Sequence, residues 1–85
     1  MYEAVDELLR ATTDLPPPRI RAELRRAHRL TQQEVAEAIG VHRIQVVRWE
    51  NGQAKPRNPH LRAYLRLLEG LAAQHPEVLQ AQAGS

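Results

Sequence analysis

Apolar residues recur at three- and four-residue spacing in six stretches of this 85-residue chain, separated by polar or turn-forming residues. That spacing fits amphipathic helices, and no stretch shows the strict alternation of a half-buried strand. Tyr2, Val5, Leu8 and Leu9 predict a helix over residues 1–14. Pro16, Pro17 and Pro18 stop it, because consecutive prolines lack amide donors and push the preceding residue out of the α region. Residues 15–18 therefore read as a stiff linker. A second helix is expected from about Pro18, with Ile20, Leu24 and Ala27 toward the core and Arg21, Arg25, Arg26 and Arg29 on its other faces.

Thr31-Gln32-Gln33-Glu34 is a capping box ahead of Val35, Ala36 and Ile39, so the third helix starts at Gln32. Gly40 is placed to end it in the left-handed conformation. A fourth helix is expected over residues 42–50, burying Val46 and Trp49, and Asn51-Gly52 closes it. Asn58 and Pro59 predict a new start, with Asn as N-cap and Pro at the first position. Leu61, Tyr64, Leu65, Leu68 and Leu71 line one face from there to Gln74, and Pro76 opens a last short helix. The expected fold is all-α, a bundle of about five short helices with an additional N-terminal helix. Residues 19–75 form the main domain, and residues 76–85 a short helix and tail.

Composition narrows the class. One compact core is what this length supports. The chain has no cysteine, which excludes disulfides and thiolate metal sites, and no apolar run reaches the roughly 18 residues of a membrane span. No secretory signal pattern is present, so a cytoplasmic location is expected. The formal charge of +2 conceals a basic centre: residues 19–66 hold eleven Lys and Arg against four Asp and Glu, a net of +7, flanked by −3 before and −2 after. A basic centre favours a polyanion. Charge alone does not separate that from a solvated face.

The spacing over residues 32–51 is more specific. Two short helices crossing steeply need a small residue where they touch, a left-handed residue at the turn and apolar anchors on both sides. Ala36, Gly40, and Val35, Ile39, Val41, Val46 and Trp49 supply these in order. That is the pattern of a helix-turn-helix. The run from Ile20 to Leu71 further resembles the lambda-repressor-like (Cro/repressor, XRE-type) family. Leu30-Thr31-Gln32-Gln33-Glu34-Val35-Ala36 is similar to the opening of its second helix, and Val46-Val47-Arg48-Trp49-Glu50-Asn51-Gly52 to the end of its recognition helix. The resemblance implies an ion pair between Arg25 and Glu50. Two positions depart from the family: Arg29 stands where glycine is common, either strained or closing its helix differently, and His42 is a poorer cap than Ser or Thr. The flanks are similar to N-terminal DNA-binding segments of actinobacterial regulators and of telomere-associated proteins of linear replicons.

The resemblance implies sequence-specific binding of double-stranded DNA by a nucleoid-associated transcriptional regulator. The recognition helix would present Arg43, Ile44, Gln45, Val47 and Arg48 to base edges. Gln32, Gln33, His42, Asn51, Lys55 and Arg57 are the candidate phosphate contacts, while Arg21, Arg26, Arg62 and Arg66 are expected to be solvated. A homodimer is expected, through the apolar positions of residues 1–14 or of residues 68–79. Two alternatives stay open: an antitoxin-type module that binds a protein partner through its first or last helix, and a DNA-targeting domain of a longer replicon-end protein. No metal site or cofactor is expected, because His28, His42, His60 and His75 fall in separate predicted elements without ligand spacing. No phosphate loop, nucleophile elbow or carboxylate pair points to an enzyme, and no membrane partner is expected.

Overall fold

In a computed structural model the described residues are 15–83. The helix expected over residues 1–14 and the end of the tail lie outside them. Within them the chain forms five helices and no strand: α1 (Pro18–Ala27), α2 (Gln32–Ile39), α3 (Arg43–Glu50), α4 (His60–Gln74) and α5 (Pro76–Ala83).

Pro17 caps α1 and Pro18 takes its first position, where a missing amide costs nothing; the Arg21 amide donates to the Pro17 carbonyl at 3.0 Å. Ile20 and Leu24 are buried, while Ala27 is only half-buried. Arg29, just past the end of the helix, has a φ of +57°, in the left-handed region. There the Arg29 amide donates to the Arg26 carbonyl (2.9 Å) and the Leu30 amide to the Arg25 carbonyl (3.0 Å). These two bonds form a Schellman closure. Arg29 therefore does the work of the glycine it replaces, at the roughly 1–2 kcal/mol that the left-handed region costs an L side chain.

Thr31 and Glu34 make the expected reciprocal bonds. The Glu34 amide donates to Thr31 Oγ1 (3.0 Å), and the Thr31 amide donates to Glu34 Oε1 (2.8 Å). The backbone amide of Thr31, and then its hydroxyl, hold the Glu34 carboxyl below its ordinary range. Leu24, Val46 and Tyr64 are the largest fully buried side chains, joined by Ile20, Val35, Ala36, Trp49, Leu68 and Leu71. Burying one such side chain is worth about 1.5–3 kcal/mol before entropy is counted. The Trp49 and Tyr64 rings meet at 5.0 Å, tilted by 36°, and so join α3 to α4. The fifth helix packs on α1 and α4, with Val78 against the core and Leu79 41% exposed.

Two expectations need correction. Asn58 does not cap α4: the Asn58-Pro59 peptide is cis, Pro59 holds the cap position, and the helix starts at His60. The second concerns Arg21, which is only 6% exposed instead of solvated. Its Nε donates to the Pro16 carbonyl (2.8 Å), and its Cζ lies 5.7 Å from the Tyr64 ring centroid. Two of the four histidines, although they lie in separate elements as expected, meet in space. His28 Nδ1 and His75 Nε2 are 2.9 Å apart, and His75 Nδ1 is 3.3 Å from Glu77 Oε2. Among the described residues no group of three or more His, Cys, Asp or Glu is placed to hold a metal ion. None of the described helices is long and apolar enough to cross a membrane.

Candidate nucleic-acid interface

The second and third helices form the most closely associated pair in the bundle, with α1 and α4 packed behind them. Ala36 is fully buried, so its small side chain lets the two helices approach. At the turn Gly40 has φ +92° and ψ +36°, and its amide and that of Val41 both donate to the Ala36 carbonyl (2.8 and 3.0 Å). A Cβ there would meet nothing within 4 Å, so glycine is needed for its backbone conformation and not for space.

One polar cluster holds this pair against α1. Arg25 Nε donates to Glu50 Oε2 at 2.7 Å and Nη2 to Oε1 at 3.0 Å, a bidentate pair with side chains 11% and 5% exposed. The remaining Arg25 nitrogen, Nη1, donates to the Leu30 carbonyl (2.8 Å), and Gln32 Nε2 donates to Glu50 Oε1 (3.1 Å). The end of α1, the start of α2 and the end of α3 thus share one carboxylate. Charge-assisted, bidentate bonds fix orientation more firmly than a point contact does.

With Val46 and Trp49 buried, α3 turns Ile44 (49% exposed), Arg43 and Arg48 outward, and Asn51 follows one turn beyond. Val47 is half-buried beside them. Gln45 is also half-buried and lies elsewhere: it joins His42, Trp49, Lys55, Arg57 and His60 in the wall of an open cavity of about 600 Å³. Two loop cations, Lys55 and Arg57, and the helix-start His60 therefore gather beside Gln45 and Trp49 of α3. Gln33 is exposed and donates through Nε2 to Glu37 Oε1 (3.0 Å). Gln32, expected to offer its side-chain amide outward, has turned that amide to Glu50. Of the first-turn amides of α2, that of Glu34 is taken by Thr31 Oγ1, while those of Gln32 and Gln33 have no acceptor within the helix.

Sequence reasoning missed the burial of Arg21. The signal was present, since Arg21 precedes Leu24 by three residues and so shares its face. The side chains of Arg26, Arg62 and Arg66 are exposed as expected. A family model described as Helix-turn-helix matches residues 22–71. No curated protein and no solved structure matches the chain.

Proposed function

The chain belongs to the lambda-repressor-like helix-turn-helix family, and on that footing we propose that it binds double-stranded DNA sequence-specifically as a transcriptional regulator. The observation that carries this reading is α3 itself, which turns Arg43, Ile44 and Arg48 outward while its Gln45 and Trp49 line the cavity of Lys55, Arg57 and His60. In the major groove, Arg43 and Arg48 suit guanine O6 and N7, and Ile44 suits a thymine methyl. Val47 adds apolar contact at the rim. Gln45 sits closer to the loop cations and reads adenine or holds a phosphate. Gln33, His42, Asn51, Lys55 and Arg57 take phosphates, and Gln32 contributes its first-turn amide.

Selection from a randomised duplex pool tests the reading, followed by titration of the winner and a scrambled duplex at two salt concentrations. An enriched sequence that outcompetes the scramble at both concentrations is expected. A palindrome would indicate two protomers one DNA turn apart, roughly 34 Å. An asymmetric winner would instead favour a monomeric targeting domain. Equal, weak binding of both duplexes would overturn the reading in favour of a protein partner. Within it, Arg48→Ala should relax base preference, costing about 1–3 kcal/mol on the selected site alone. Lys55→Ala should weaken every sequence alike and reduce the salt slope by about 1. Equal loss of preference in both variants would refute this division of roles.

A further inference from the structure

A smaller cavity, of about 280 Å³, shares Lys55 and Pro56 with the basic cavity beside α3. Its other walls include Pro16, Pro18, Leu61 and the Arg21 side chain. The Arg21 guanidinium is permanently charged, and the residue is only 6% exposed. Its Nε donates to the Pro16 carbonyl, and its Nη1 has neither a hydrogen-bond partner nor accessible surface, so a ligand meets only the part of Arg21 that lines the cavity. Among the described residues no carboxylate pairs with it. The face of Tyr64 offers it a cation–π contact, and the buried Tyr64 hydroxyl is likewise without a partner. A buried charge is costly until something of opposite sign completes it.

The cavity therefore has one buried cation, a second at its exposed edge in Lys55, and walls of proline and leucine. Apolar walls with a few convergent polar groups are the usual make-up of a small-molecule site. Its volume lies just under the roughly 300–1,000 Å³ of drug-sized sites, so the ligand is small. We propose that this cavity binds a small monocarboxylate with a compact apolar body, its carboxylate toward Arg21 and Lys55 and its body against the proline walls. Lys55 also borders the cavity beside α3, so an occupied site draws that cation away from a DNA phosphate. Ligand binding then lowers DNA affinity, and this second step rests on the DNA-binding reading above.

The site is tested on the free 85-residue chain by NMR, following Arg21 Nε–H and the Leu61 methyls during titration with acetate, isovalerate and benzoate. Benzamide and inorganic phosphate, at matched pH and ionic strength, are the controls. Saturable shifts with isovalerate or benzoate, weaker ones with acetate and none with the controls are expected. Lys55→Gln, a change at an exposed position, should weaken benzoate binding about fivefold, the worth of one exposed ion pair. Arg21→Met should abolish it; if that variant does not fold, the Lys55 variant and the controls still decide. No saturable shift from any carboxylate overturns the proposal, as do equal shifts from phosphate or benzamide. Titration of a selected duplex with and without benzoate then addresses the coupling alone: unchanged affinity with intact benzoate shifts would refute the second step and leave the site standing.

Discussion

Arg21 and Arg25 lie one turn apart on α1, both withdrawn from solvent, and their surroundings differ sharply. Arg25 is fully employed: two nitrogens bind Glu50, the third binds the Leu30 carbonyl, and Gln32 joins the same carboxylate. Arg21 has one carbonyl, one aromatic face and an unpartnered Nη1, and the buried Tyr64 hydroxyl is unpartnered too. The side of the bundle that carries the helix-turn-helix is a closed polar network. The side facing the proline segment is open-ended. Burial of an arginine therefore says little by itself, and what decides its role is whether a counter-charge is built in.

The largest effect should come from breaking the closed side. Glu50→Ala leaves Arg25 buried without its carboxylate and should destabilise the fold by about 3–5 kcal/mol. Denaturant unfolding would measure it, and a loss under about 1 kcal/mol would mean the cluster is not what fixes α3. A smaller effect, of opposite sign, is expected at the junction between α1 and α2. Arg29→Gly keeps the Schellman bonds while relieving the left-handed strain, and should raise stability by about 0.5–1 kcal/mol net of the extra chain entropy of glycine. A drop in midpoint would show that the Arg29 side chain contributes more than its backbone costs.

The smallest effect belongs to the open side. Tyr64→Phe removes a buried hydroxyl that has no partner, so stability at neutral pH should change by less than about 0.5 kcal/mol. Its mark appears in alkali. Burial holds the Tyr64 phenol above its ordinary value of 10.0, with Arg21 opposing the shift and Glu50 adding to it. An acid whose folded form keeps its proton longer lends stability that is complete below the unfolded value and is lost as pH rises through the folded one. Above pH 10.0 the parent chain should therefore lose stability more steeply than Tyr64→Phe. Parallel curves would place the phenol in contact with water after all.

Local rules account for most of what could be read before the structure. The Thr31–Glu34 box, the left-handed Gly40 and the proline at the start of α1 depend on residues within a turn or so of one another, and each appears where the sequence puts it. Asn58 failed as a cap for an equally local reason, since Pro59 itself occupies the cap position. The Arg25–Glu50 pair spans 25 residues, and only family resemblance could supply it. Nothing comparable announced the turn of Gln32 toward Glu50, the meeting of His28 with His75 across 47 residues, or the stacking of Arg21 on Tyr64. Periodicity ranks positions on one helix but is silent about which residue of a distant helix will face them. The face of α3 was legible to the extent that Val46 and Trp49 were, because burying those two leaves Arg43, Ile44 and Arg48 outside.

That division of α3 has a bearing on how such a protein changes over generations. Its inward residues and Glu50 anchor the helix, whereas among the described residues the side chains of Arg43, Ile44 and Arg48 hydrogen-bond or pair with nothing else in the molecule. Substitutions at those three sites are shielded from the fold and cost it little, since exposed positions away from caps and cores usually shift stability by no more than about 0.5 kcal/mol. The outward face is in this sense a replaceable cassette: its side chains can be exchanged while the carboxylate behind it keeps the helix at the same angle.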